Sequence, residues 1–287
     1  MAEKLATVKQ VKTMLARDDV KERFNDILGS KAPQFMASLV NVVAGSSQLA
    51  ECEPNSIMAS AFVAASFDLP IDSNLGFAAI VPYKKNTYNY QTKEWESQTF
   101  AQFQMMYKGF VQLAIRSGQY EKMSCSEVYQ DELLEYNPIT GECKFTTDFS
   151  ECTQRLNGEA DKIIGYYAWF KLHSGFVKEL FMTKNEIYNH ASKYSQSYRM
   201  DISKNKKSSR WSTDFDAMAK KTVLKLLLSK WGVLSVDMQK AIQDDQKVYN
   251  SDGTGDYVDN KDSKTEDVAT DPFNMVVEVQ AEESESM

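Results

Sequence analysis

Between Gln102 and Tyr120 the chain reads QFQMMYKGFVQLAIRSGQY and changes period within three residues, at Tyr107-Lys108-Gly109. Before the change, Phe103 and Met105 alternate with Gln102, Gln104 and Met106, which is the two-residue period of a strand. After it, Val111, Ala114 and Ile115 fall at i, i+3 and i+4, and Lys108, Gln112 and Arg116 recur every fourth residue. A helix with an apolar stripe and a separate cationic, hydrogen-bonding face is expected there. Gly118 supplies its stop, and the chain becomes extended again from Tyr120. This succession points to an α+β fold in which mixed helices pack on an antiparallel sheet and hairpins.

The flanking segments fit that class. Residues 3–28 carry Leu5, Val8, Val11, Leu15 and Phe24 at roughly helical spacing, so one or two amphipathic helices are expected before Gly29-Ser30. Pro33 suits the first turn of a further helix, and Pro54 opens another, whose interior IMASAFVAASF is apolar or small throughout and therefore buried. Leu69-Pro70 must end it. LGFAAIVPY, from Leu75 to Tyr83, reads as a buried strand, and Lys84 to Gln98, with Tyr88, Tyr90 and Trp95, as a mobile hairpin or loop. Two short extended pieces flank the turn 137–141, and residues 162–172 and 176–182 form a hairpin around His173-Ser174-Gly175. Thr183 and Glu186 make a capping box for a helix from Lys184. Residues 195–212, SQSYRMDISKNKKSSRWS, lack periodicity and read as an exposed loop before the strong helix FDAMAKKTVLKLLLSKW. In that helix Leu224, Leu227, Leu228 and Trp231 are the expected core positions. A short helix from Val233 to about Gln246 follows.

Charge divides the 287 residues sharply. The whole chain carries −7, yet residues 237–287 hold 14 acidic and 4 basic residues, while residues 193–231 hold 10 basic and 3 acidic. The acidity therefore belongs to the end, and from Tyr249 onward the chain is too polar to bury enough surface to order itself. Three regions result: 1–30, an N-terminal helical region suited to oligomerisation; 31–246, the core; and 247–287, an acidic flexible tail. Inside the tail Phe273 to Val277 is a lone apolar cluster.

Composition and motifs narrow the chemistry. Four cysteines without a CxxC pair and only two histidines give no zinc pattern. The N-terminus lacks an apolar leader core, and no apolar run reaches the ~18 residues needed to span a bilayer. A cytoplasmic protein with reduced thiols and no membrane partner is expected. No phosphate-binding glycine loop, HExxH or GxSxG occurs. Asp214 and Asp216 could suggest a two-metal nuclease, but residues two apart on a helix do not face each other, so helix capping is favoured. No catalytic or metal-binding residue is assigned.

A nucleic-acid surface fits better. Lys204, Lys206, Lys207 and Arg210 run into Trp211, joining a phosphate-attracting cluster to a ring on which a base could stack. Lys221 and Lys225, at i and i+4, share a helix face expected to meet solvent. Lys84 ends a strand, and Lys108 with Arg116 forms the cationic face of the switch helix. Each set alone has a plainer explanation, since a Lys-Lys pair is usually a solvated face and a tryptophan usually core. Convergence of the four sets would line a groove.

At QMMYKGFVQLAIRSGQY the sequence resembles the RecT family of phage and prophage single-strand annealing proteins, a group related to lambda Redβ. Three more blocks carry the resemblance in family order. They are Phe67-Asp68-Leu69-Pro70-Ile71-Asp72 with Leu75-Gly76-Phe77 and Val81-Pro82-Tyr83-Lys84; Ile164-Gly165-Tyr166-Tyr167-Ala168; and Trp211 to Asp214 with Ala217 to Val223 and Leu228 to Gly232. The insert after Lys84 departs from many relatives. The resemblance implies a non-enzymatic protein that binds single-stranded DNA, anneals complementary strands and promotes strand exchange in homologous recombination and repair. It implies no cofactor, neither ATP nor a resident metal, with magnesium entering only together with DNA. It further implies single-stranded DNA and the annealed duplex as ligands, homo-oligomeric rings or helical filaments, and a partner 5′→3′ exonuclease. The tail either shields the protein itself or docks a partner such as a host single-strand-binding protein. A metal-dependent nuclease and a scaffold without DNA affinity are the competing expectations.

Overall fold

A computed structural model describes residues 2–89, 93–233, 235–245, 247–249 and 255–257. Helices α1 (Ala2–Ala16) and α2 (Asp18–Leu28) lie against α3 (Ala32–Gly45) and α4 (Pro54–Ser66). Phe24 of α2 stacks on Phe62 of α4 with ring centroids 4.4 Å apart, and Val11, Leu15, Phe24 and Leu28 share one hydrophobic core with α3 and α4. Pro54 starts α4, where its missing N–H costs nothing, and the Glu53 carboxylate caps it, accepting from Asn55 N at 3.0 Å and Ser56 N at 2.7 Å. The chain leaves α4 before Pro70 through Asp68, whose φ of +49° is left-handed.

β1 (Ala78–Asn89) and β2 (Glu94–Met105) form one long antiparallel hairpin. The expected strand at 75–83 thus runs on into the insert, which is hairpin rather than loop; Tyr90 and the side chains of Tyr88 and Trp95 lie outside the described residues. Ala101, Phe103 and Met105 are buried, as the alternation requires. Three backbone groups on the outer edge of β2 find partners outside the hairpin. Thr99 O accepts from Glu53 N at 2.8 Å, Ala101 N donates to Ser56 Oγ at 2.7 Å, and Met105 N donates to Asp245 Oδ1 at 2.9 Å. Buried backbone groups need such partners, so α4 and the Asp245 side chain stand where a third strand would.

The switch helix α5 is Tyr107–Arg116. Its buried face is Gly109, Phe110, Leu113 and Ala114, while Ile115 is 60% exposed. The apolar stripe is therefore rotated from the expected Val111, Ala114 and Ile115, because the preceding loop packs on Gly109. A Cβ on Gly109 would lie 2.2 Å from Phe77 O and 2.4 Å from the Met105 sulfur. Gly109→Ala is expected to destabilise the fold by about 3 kcal/mol, since a backbone carbonyl cannot move aside; urea denaturation would measure it.

β3 (Tyr120–Tyr129), β6 (Ile163–Leu172) and β7 (Val177–Thr183) make a three-stranded antiparallel sheet in the order β3-β6-β7. Between β3 and β6 come the small hairpin of β4 (Leu133–Tyr136) and β5 (Cys143–Phe145) and the one-turn helix α6 (Thr153–Leu156). Thr183 and Glu186 form the expected capping box of α7 (Lys184–Tyr194). The expected loop at 195–212 is instead α8 (Gln196–Lys204), a turn, and α9 (Arg210–Thr213). Ser195 Oγ caps α8, accepting from Tyr198 N, and Asn205 ends it with a left-handed φ of +49°.

α10 (Phe215–Trp231) packs across β3, β6 and β7, with Leu224, Leu227 and Leu228 buried as expected. Trp231 is not core: it is 52% exposed, with Lys178 Nζ 4.8 Å above its ring. Asp214 occupies the N-cap position without a side-chain cap bond, and Asp216 accepts from the Tyr166 hydroxyl at 2.5 Å. α11 (Val236–Asp244) leads to a small pair, β8 (Lys247–Tyr249) with β9 (Gly255–Tyr257). Val248 of β8 is buried. Residues 258–287, including Phe273 to Val277, lie outside the described residues. No helix among the described residues is long and apolar enough to cross a membrane.

Candidate nucleic-acid interface

The ten residues expected to meet DNA fall into three environments. Lys204, Lys206, Lys207 and Arg210 are all exposed, on the end of α8, the turn and the start of α9. Among the described residues no carboxylate pairs with any of the four. The turn between the helices is closed on Asp201, whose carboxylate accepts from Ser208, Ser209 and Ser212. Those bonds, with Ser208 first among them and then Ser212, hold the Asp201 carboxyl well below the usual carboxylate range.

Lys84 is exposed on β1. The preceding residue, Tyr83, donates its hydroxyl to Gln196 Oε1 at 3.1 Å, which brings β1 to the start of α8. Two cations not singled out in the sequence join this neighbourhood. Arg199 is exposed and donates Nη1 to Lys193 O at 2.5 Å and Ser192 O at 3.3 Å, closing the C-terminal end of α7. Lys193 is exposed with its Nζ 5.0 Å from the Tyr194 ring centroid. The signal for both is the basic stretch 193–231, to which Lys193 and Arg199 belong.

Trp211 is 7% exposed, with its ring 6.2 Å from Tyr198 and 5.6 Å from Phe215 between centroids. It fills the seam between α8 and α10, and no face is free for a base. The stacking expectation is corrected accordingly: the apolar sides of two helices meet at its ring.

Lys221 and Lys225 also depart from expectation. Lys221 is only 8% exposed, and both lysines turn to the buried carboxylate of Asp245, Lys221 Nζ at 3.4 Å and Lys225 Nζ at 2.8 Å. Helical spacing put them on one face, but α11 and the Asp245 that follows it lie against that face. Burial pushes the Asp245 carboxyl up, and Lys221, Lys225 and the Met105 N–H more than reverse this, leaving it lowered. Beside them, burial, helped by Lys225 and Lys193, lowers His190 to about 4, so it is neutral at pH 7.

Arg116 and Lys108 separate as well. Arg116 donates Nη1 to Phe67 O at 2.7 Å and Nη2 to Asp68 O at 2.9 Å, and lies 3.7 Å from the Asp68 carboxylate, which also pairs with Lys31. Its task is to clamp the turn after α4, so it is not part of a free cationic face. Lys108 remains exposed, its stem packed over Gly76, where a Cβ would lie 3.4 Å from Lys108 Cδ.

The structure thus draws together α7, α8, the 204–210 turn and β1; it turns Lys221, Lys225 and Trp211 into internal contacts and engages Arg116, still exposed, in a clamp on the backbone of the turn after α4. Among the described residues no group of three histidine, cysteine, aspartate or glutamate side chains is placed to hold a metal ion. Lys84, Lys108, Lys193, Arg199, Lys204, Lys206, Lys207 and Arg210 are exposed cations, the residue type that contacts phosphates.

A family model described as the RecT family matches residues 33–265. The chain is also 38% identical over 276 residues to the uncharacterized protein YqaK of Bacillus subtilis (strain 168), an alignment spanning 92% of this chain and 86% of that protein.

Proposed function

The chain belongs to the RecT family, which gives it a role in single-strand annealing and recombination through binding of single-stranded DNA, and on that premise we propose that it works without ATP, by holding strands rather than by covalent chemistry. The observation that supports this is the run of four exposed cations, Lys204, Lys206, Lys207 and Arg210, none of which forms an ion pair with a carboxylate among the described residues. Lys84, Lys193 and Arg199 extend the cationic face toward β1 and α7, and Lys108 contributes from α5. Contacts of this kind neutralise the backbone and leave bases free to pair, so sequence preference is weak. Strand exchange, assembly into homo-oligomeric rings or filaments, supply of substrate by a 5′→3′ exonuclease, and action in a bacterial cytoplasm belong to the same proposal. So does capture of a host single-strand-binding protein through Phe273 to Val277.

The decisive experiment mixes two complementary oligonucleotides with the protein in the absence of nucleotide, with and without EDTA. Duplex formation is expected to be faster than in the protein-free control in both conditions, with both strands intact. Magnesium-dependent shortening of the strands would instead identify a nuclease, and an unchanged rate a scaffold.

A further inference from the structure

Within the most basic stretch of the chain, one carboxylate is buried at the centre of the turn that carries the charge. Asp201, 3% exposed, accepts from Ser208 N at 2.9 Å, Ser208 Oγ at 2.5 Å, Ser209 N at 2.7 Å and Ser212 Oγ at 2.7 Å. Its backbone carbonyl accepts from Lys206 N at 2.9 Å. One residue therefore ties down both arms of the turn, with Asn205 in a left-handed conformation at the bend.

Four like charges within seven residues repel one another, and a loose loop bearing them would have to be ordered at the moment it met a phosphate backbone. Ordering a segment beforehand removes that cost from binding. For attracting a polyanion, a carboxylate in this position is unfavourable on charge alone. Its four hydrogen bonds to Ser208, Ser209 and Ser212 give it a geometric role beside that charge.

We infer that Asp201 is a positioning residue for single-stranded DNA: without touching the DNA, it sets the spacing at which Lys204, Lys206, Lys207 and Arg210 meet the phosphates of one strand. The inference rests on the DNA-binding reading of that cationic turn and deepens it.

The sign of one substitution separates geometry from charge. Asp201→Asn removes a negative charge, so a purely electrostatic role predicts tighter binding of a labelled oligothymidylate. Positioning predicts a loss of affinity of about tenfold, with a shallower salt dependence as fewer phosphates are neutralised together. Trypsin cleavage between 204 and 210 is expected to accelerate about tenfold in the same variant, because the turn opens locally more often. Far-UV circular dichroism should match wild type. Ser208→Ala/Ser212→Ala provides a second variant that keeps the carboxylate and removes its hydroxyl donors; the same direction is expected.

Adding Asp201→Asn to a variant with glutamine at positions 204, 206, 207 and 210 should cause no further loss. The inference is overturned by tighter or unchanged binding of Asp201→Asn, or by losses that add. If the four-glutamine variant loses binding and both bracing variants keep it, the positioning role alone fails. If the four-glutamine variant itself binds like wild type, the cationic turn is not the DNA site and the inference falls with it.

Discussion

Replacing Asp245 by alanine is expected to destabilise the protein by about 3–5 kcal/mol, the range for breaking a buried ion pair from one side. In a chain of this size that lowers the melting temperature by roughly 10 °C, which differential scanning calorimetry would register. The size of the effect follows from how many groups the carboxylate serves. It pairs with Lys221 at 3.4 Å and Lys225 at 2.8 Å, and it accepts the Met105 N–H on the outer edge of β2 at 2.9 Å. Alanine removes the carboxylate that two ammonium groups and one strand amide share, and at a site this deeply buried water does not fully replace it. The converse prediction concerns the lysines. Replacing Lys221 and Lys225 together by alanine should lower stability while leaving the salt dependence of DNA binding unchanged. Sequence spacing alone suggests the opposite, two lost phosphate contacts and a flatter salt slope.

The pH dependence has a defined sign. The Asp245 carboxyl is lowered in the folded state, so its contribution is present above the ordinary carboxylate range and is lost as pH falls through its folded value. The stability gap between wild type and Asp245→Asn is therefore expected to narrow on the acid side. A constant gap would show that the carboxylate charge is not what stabilises this junction.

Replacing Lys204, Lys206, Lys207 and Arg210 together by glutamine is expected to have the largest effect on function. At ~0.7 per phosphate contact on single strands, the slope of log affinity against log salt should fall by up to ~2.8. Affinity at low salt should fall by orders of magnitude, and annealing with it. Stability should change by less than about 0.5 kcal/mol, because these side chains are exposed and make no ion pair with described residues. Fluorescence anisotropy of a labelled oligothymidylate across a salt series measures the slope directly. An unchanged slope would move the DNA face elsewhere, with Lys108, Lys84, Lys193 and Arg199 the next positions to substitute.

Much of the fold was legible because it rests on local patterns. The change of period at Tyr107 marks the join of β2 and α5, Pro54 marks the start of α4, and Thr183 with Glu186 marks the start of α7. Each is decided by a few neighbouring residues, through side-chain alternation, a missing N–H or a reciprocal cap. The segment 195–212 was illegible for the opposite reason. Its helix has little apolar periodicity, and what orders it is a set of polar bonds from Ser208, Ser209 and Ser212 to Asp201. No hydrophobic pattern reports such bonds.

The candidate site was legible by residue type and less so by place. Charge counting found the basic stretch, but charge says nothing about direction. Lys221 and Lys225 were read as solvent-facing because the apolar residues of α10 left them a polar side, and what lies against that side is α11 and the Asp245 junction, folded back from later in the chain. Trp211 and Arg116 were misplaced likewise: one fills a helix seam, and the other clamps Phe67 O and Asp68 O, some fifty residues earlier in the chain.

The sequence by itself therefore determined the α+β class, the strand-to-helix switch, the family and the basic character of residues 193–231, because periodicity, caps and motifs act over short separations along the chain. Only the tertiary structure decided which cations remain open to a phosphate. That outcome depends on where distant carboxylates and carbonyls come to lie, and a buried Asp245 can turn two lysines inward while a buried Asp201 holds four cations out.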